Sequence, residues 1–184
     1  GAVAFALDVT LVDSAPDIAT AAEAMRHTLG HAPLGRMRIA TLIGEGVARL
    51  VALALAESHG RAPPAAELAD AVECFHGYYA AHLFDRSRVY PGVVDGLRRL
   101  HASGGPLACI TNKASRFALP LLEAAGLAHF FAFTLGADNP ATRKPAPDLL
   151  LDACGRFGVA PAELLYVGDS RIDIAAARAA GCPV

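Results

Sequence analysis

The sequence has no tryptophan, and aromatic residues fill only 7% of its positions. Charge of either sign is scarce and nearly balanced, with 16 Lys and Arg against 18 Asp and Glu and a formal net charge of −2. The basic residues form no block, so the clustered Lys and Arg of a nucleic-acid footprint are missing and no nucleic-acid partner is expected. No run approaches the roughly 18 consecutive apolar residues that cross a bilayer, and the N-terminus shows no basic segment leading into an apolar one and a cleavage site. No membrane partner is expected, and the default compartment is the cytoplasm. Cys74, Cys109, Cys154 and Cys182 stand far apart without a C-x-x-C pair, which argues against both a zinc site and a dense disulfide framework. Four buried free thiols are the simpler expectation.

What is present is apolar surface. With 54% hydrophobic positions in 184 residues, the chain can bury a substantial core. Four short apolar runs recur, AVAF at 2–5, PLACI at 106–110, FFAFTL at 130–135 and ELLYV at 163–167, each short enough for a buried strand. Between the later runs lie helix-like segments, SRFALPLLEAAG and PDLLLDACGRFG, each ending in a glycine that suits a helix C-terminus. Alternation of this kind predicts an α/β fold with a parallel sheet covered on both faces.

From about Ala15 to Arg88 the alternation breaks. Ser14-Ala15-Pro16-Asp17 reads as a helix start with a hydroxyl cap, an early proline and an acid in the first turn. Ile18, Ala22, Met25 and Leu29 then share one helical face, as do Leu68, Val72, Phe75, Tyr79 and Leu83, and GEGVARLVALALAES is a third helical candidate. A helical insert after the first strand, returning at Tyr90-Pro91-Gly92, is the simplest topology.

In parallel sheets, ligands gather outside the carboxyl ends of the strands. The residues following the four runs are Asp8 with Thr10; Thr111, Asn112 and Lys113; Asp138 through Lys144; and Asp169 with Ser170. Polar chemistry therefore collects at one edge. In VGDSRIDIAAARAAG, Asp169 and Asp173 are four apart where a helix begins, so both carboxylates could face one point. Such oxygen ligands suit a hard cation, magnesium in particular, held together with a substrate phosphate. Lys144 has the position to offset a phosphate's charge, and Thr111 and Asn112 offer a hydroxyl, an amide and main-chain N–H groups to an anion.

These stretches resemble the haloacid dehalogenase superfamily of phosphatases, most closely its phosphoglycolate phosphatases. FALDVTLVDSAPDI is similar to the family's first motif, CITNK to the second, RKPAPD to the third and VGDSRIDIAAARAAG to the fourth, while GRMRIATLIGEGVARLV resembles the helical cap of the phosphoglycolate branch. The resemblance implies a Rossmann-like core formed by residues 1–14 and 89–184, a small helical cap at 15–88, and Mg2+-dependent hydrolysis of a small phosphorylated metabolite through an aspartyl-phosphate, 2-phosphoglycolate being the favoured substrate. The assembly would be a monomer or a homodimer. By resemblance Asp8 is the general acid and base, its main-chain carbonyl contacting the metal. Asp169 is the direct metal ligand with Asp173 in support. Thr111, Asn112 and Lys144 bind phosphate, and Thr10, grouped with them, orients the loop.

Two positions depart from the family pattern. The nucleophilic aspartate is expected two residues before Asp8, where this chain has Ala6, and a methyl group cannot attack phosphorus or ligate a metal. Val9 replaces a glycine, and strains the loop if the backbone there needs positive φ. The expected activity of this chain is therefore impaired or nil. The alternatives are a pseudophosphatase that binds a phospho-ligand without turnover, a phosphatase for another sugar phosphate, or, at a distance, a dehalogenase. The chain ends at Gly181-Cys182-Pro183-Val184, where the family pattern would continue into another strand. His27 and His31 have helical spacing but Gly30 between them and no third ligand in view. With the other histidines scattered, no metal site is expected there.

Overall fold

A computed structural model describes all residues from Gly1 to Val184. The chain enters as β1 (Ala2–Phe5), turns through residues 6–11 into the short β2 (Val12–Asp13), and then forms four helices, α1 (Ala15–Thr28), α2 (Arg36–Ala40), α3 (Val47–His59) and α4 (Ala65–Ala81). It continues through β3 (Arg88–Val89), α5 (Val93–Ala102), β4 (Leu107–Thr111), α6 (Ser115–Ala124), β5 (Phe133–Gly136), α7 (Asp148–Phe157), β6 (Leu164–Val167) and α8 (Arg171–Ala180). No helix is long and apolar enough to cross a membrane. Two compact units result, one of Gly1–Asp13 with Arg88–Val184 and one of Ser14–Ser87.

The first unit is built on a parallel sheet of order β5-β4-β1-β6. Ala4 of β1 lies between Ala108 of β4 and Tyr166 of β6, which sets the register of the centre. Small residues at Ala2, Ala4 and Ala108 let α7 and α8 approach the sheet, and Leu150, Ala153, Ala176 and Ala177 close over them in one buried cluster. Burying that surface is the main source of stability, at about 25 cal/mol per Å². Along the outer edge, the Pro183 carbonyl accepts a hydrogen bond from Tyr166 N.

The predicted strand at 130–135 is only half present. Residues 128–130 form a 3₁₀ turn and the strand starts at Phe133, with Ala132 N donating to the Leu107 carbonyl. Phe130 is buried all the same, so an apolar run was satisfied without extended backbone.

The second unit is all helical. Ile18, Ala22 and Met25 of α1 and Phe75 and Tyr79 of α4 are buried, as the helical periodicity predicts, and α3 buries Leu50, Val51, Ala54 and Leu55. Leu68 and Val72 are half-buried, Leu83 lies past α4, and Leu29 lies just past α1 and is exposed. The expected hydroxyl cap on α1 is absent, since the Ser14 side chain makes no capping bond. Asp17 has a different task. Its carboxylate accepts from Arg86 N at 2.9 Å, Ser87 N at 2.7 Å and Ser87 Oγ at 2.6 Å, tying the first turn of α1 to the end of the unit.

Candidate active site

The carboxyl ends of the four parallel strands lie side by side, so the polar segments that follow them meet at one edge of the sheet. After β1 the chain closes a tight loop in which Val9 N donates to the Val12 carbonyl at 2.8 Å and Leu11 N to the Leu7 carbonyl at 2.9 Å. That closure puts Val9 at φ 65°, the left-handed region that a β-branched side chain adopts only under strain. The condition raised by the sequence at Val9 is therefore met. Ala6, just after β1, is 4% exposed and belongs to the apolar cluster beneath the sheet, its N–H bonded to the Val167 carbonyl. Asp8 lies two residues on, and its Oδ1 is 3.2 Å from Lys113 Nζ.

Past β4, Thr111 is buried and its hydroxyl accepts from Lys113 N at 3.1 Å. Asn112 spends its amide on one neighbour, with Oδ1 accepting from Lys144 N at 2.9 Å and Nδ2 donating to the Lys144 carbonyl at 3.0 Å. This two-point clamp holds the loop after β5 against the end of β4. Asp138 has a local role, accepting from Ser115 N at the start of α6. The approach is close because β5 ends in Gly136, where a Cβ would lie 2.5 Å from Ser115 N.

Lys144 is buried and its ammonium donates in three directions, to Asp173 Oδ1 at 2.6 Å, Tyr166 Oη at 2.6 Å and the Ile110 carbonyl at 3.3 Å. Asp173 Oδ2 accepts from Ser170 N at 3.1 Å and Ser170 Oγ at 2.6 Å. Both Asp173 oxygens are thus occupied. Burial raises the pKa of this carboxyl, but the Lys144 charge and the bonds from Lys144 and Ser170 outweigh it and hold it below the ordinary range. Tyr166 is pushed far above the usual phenol range by burial and by the Asp173 carboxylate, so it stays neutral. Gly168 makes the arrangement spatially feasible, because a Cβ there would fall 2.6 Å from Asp173 Cβ and Cγ.

Asp169 is exposed, and its Oδ1 accepts from Thr10 Oγ1 at 2.5 Å. Ser170 is the N-cap and α8 begins at Arg171, so Asp169 stands just before the helix and Asp173 in its first turn. The two acids take different hydrogen-bond partners, Asp169 the Thr10 hydroxyl and Asp173 the Lys144 ammonium and Ser170.

The structure joins Thr10 with Asp169, Asp8 with Lys113, Asn112 with Lys144 and Lys144 with Asp173, while Ala6 supplies no polar atom. Two residues are added to the set. Lys113 pairs with Asp8, and its signal was already present in CITNK. Tyr166, placed beside Lys144, sits in a buried apolar strand and reads in sequence as a packing residue. Among the five charged groups, Lys113 and Lys144 oppose Asp8, Asp169 and Asp173, which leaves a net −1 concentrated on the exposed Asp169. An oxygen-only donor set with a residual negative charge suits a hard divalent cation.

Residues 3–184 match a family model described as haloacid dehalogenase-like hydrolase. A phosphoglycolate phosphatase of Thiobacillus denitrificans is 48% identical over 183 residues, covering 100% of this chain and 81% of that protein. One from Chromobacterium violaceum is 46% identical over 181 residues, covering 98% and 82%. A crystal structure described as a predicted phosphoglycolate phosphatase from Haemophilus somnus superposes with a TM-score of 0.90 at 33% identity, covering 98% of this chain and 82% of that one. A family model matched over residues 3–184, with relatives 46% and 48% identical over nearly the whole chain, places this protein in the haloacid dehalogenase-like hydrolase family.

Proposed function

We propose that this chain is a phosphomonoester hydrolase scaffold of the phosphoglycolate phosphatase type, whose turnover is blocked at Ala6 while its phosphate-binding residues and the remaining metal ligands are retained. The observation that carries the reading is the linkage of all four strand ends by side-chain contacts, Thr10 with Asp169, Asp8 with Lys113, and Asn112 and Asp173 with Lys144. The names of the relatives favour 2-phosphoglycolate as the substrate of the lineage.

In this reading Lys144 presents a positive charge to the phosphoryl oxygens from a fixed position, and Thr111 with the main-chain N–H groups beside it completes the anion cradle. The Asn112 side chain holds the Lys144 backbone, so its part is positional. Asp8 gives a proton to the departing alcohol oxygen and later removes one from water, with Lys113 holding its carboxylate in place. Asp169 and the Asp8 carbonyl would hold Mg2+, with Asp173 supporting the site through Ser170 and Lys144. The ion, when bound, neutralises phosphoryl oxygen charge. The helical unit, residues 14–87, serves as the cap that selects the substrate.

The missing step is attack on phosphorus. Loss of a nucleophile from a cooperative site lowers turnover by about 10⁴ to 10⁶. Ala6 also removes a carboxylate that would repel the phosphate, which favours ligand binding without hydrolysis as the second reading. The test is phosphate release from 2-phosphoglycolate and a panel of phosphorylated metabolites, with Mg2+, for the chain as it stands and for the Ala6→Asp, Val9→Gly variant. The unaltered chain is expected to be silent and the variant active. A folded variant that releases no phosphate from any of them favours the binding protein, and strong turnover by the unaltered chain overturns the account of Ala6.

A further inference from the structure

We propose that the helical unit carries a binding site for a divalent transition-metal cation of the Zn2+ class, formed by His31, His59 and Glu67. These three side chains bring one ligand atom each to within 4.8 Å of one another. His59 Nε2 lies 2.9 Å from Glu67 Oε1, and the rings of His31 and His59 are perpendicular with centroids 5.1 Å apart. Two imidazoles and a carboxylate are an N₂O donor set of borderline softness, the kind that holds Zn2+ with a fourth position left to water. Metal–ligand bonds of about 2.1 Å place neighbouring ligand atoms about 3.4 Å apart in a tetrahedral shell. Small side-chain rotations therefore close the site.

The three residues come from separate elements, and the scaffold between them is pinned. His59 is the last residue of α3, which stops at Gly60 in the left-handed conformation, and Glu67 lies in the first turn of α4. His31 follows α1 in a loop held at both ends. Its own N–H bonds to the Arg26 carbonyl at 2.9 Å, and the buried Arg26 guanidinium donates to the Ala32 carbonyl, the Ala54 carbonyl and Ser58 Oγ. Arg26 thus ties the His31 loop directly to the turn of α3 that carries His59. Further along, Glu23 accepts from Leu34 N at 3.0 Å and Gly35 N at 2.6 Å. A pre-positioned set of this kind loses little side-chain freedom on binding. His27 has no part in it, since α1 ends at Thr28 and the chain turns away before His31. The site lies wholly within residues 14–87, is built from softer donors than the oxygen set at the sheet edge, and does not depend on the proposed phosphatase chemistry.

The test is a Zn2+ titration of the metal-free full chain against a chromophoric chelator, in excess Mg2+ so that the oxygen site is filled by the harder ion. One equivalent per chain is expected, with His59→Ala and Glu67→Gln each weakening binding by about tenfold or more. His82→Ala, which alters another histidine of the same unit, and Asp169→Asn, which alters the sheet-edge site, should leave it unchanged. Co2+ in place of Zn2+ should give a visible d–d absorption that both ligand variants lose, with circular dichroism confirming that each variant is folded. Absence of Zn2+ binding by the unaltered chain, or equal binding by the folded Glu67→Gln protein, would overturn the proposal. So would loss of the site in Asp169→Asn.

Discussion

Lys144 Nζ lies 2.6 Å from Asp173 Oδ1, and both side chains are only 5% exposed. The pair also engages Tyr166 and Ser170, so removing one member leaves the other buried without its counter-charge. Asp173→Asn should lower stability by about 3 kcal/mol at neutral pH, measured as a shift of the urea midpoint. The folded pKa of Asp173 is depressed by Lys144 against the opposing effect of burial. Its contribution is therefore fully present above the unfolded value of about 3.9 and lost as pH falls through the lower folded value. The gap between the unaltered chain and Asp173→Asn should narrow below about pH 4. A gap that stays constant through that range would contradict the ion-pair account.

Val9 holds φ 65° and is 41% exposed, so the backbone is strained while the residue is only partly buried. Val9→Gly relieves about 1 to 3 kcal/mol of strain and costs about 0.5 to 1 kcal/mol in unfolded-chain entropy. A net gain of about 1 kcal/mol is expected, read as a higher thermal midpoint. A lower midpoint would show that the loop tolerates valine without strain.

The Asn112 clamp on Lys144 predicts a local effect. Asn112→Ala removes both bonds to the Lys144 peptide and should cost about 1 to 3 kcal/mol. Hydrogen exchange at the Lys144 amide should quicken while the amides of β4 stay protected. Uniform loss of protection across the sheet would point to global destabilisation instead.

Cys109 is completely buried in β4, and burial raises its thiol pKa to about 12. The thiolate is the reactive form, so Cys109 should resist an aromatic disulfide reagent in the native protein. Cys154 and Cys182 are also buried, whereas Cys74 is half-buried and should react first. One fast thiol, with the remaining three released only by denaturant, is the expected count.

Much of this was legible in advance, for reasons that differ from element to element. A buried parallel strand such as AVAF must be apolar on both faces, and a helix such as 148–157 must show a stripe, so periodicity located them. Run length alone misjudged Phe130, because burial of an aromatic ring is compatible with a 3₁₀ turn as well as a strand. The spacing of Asp169 and Asp173 was legible, but not that Ser170 between them would cap the helix and bond to Asp173, which is a matter of local backbone geometry.

The sequence by itself determined the order of strands and helices, the polar segments at the strand ends and the methyl group at Ala6, because these follow from local hydrophobic pattern and residue chemistry. Only the tertiary structure decided which groups became partners. Lys113 with Asp8, Tyr166 with Lys144, and His31 with His59 and Glu67 are far apart in the chain, and their meeting depends on sheet order and helix packing rather than on any local spacing.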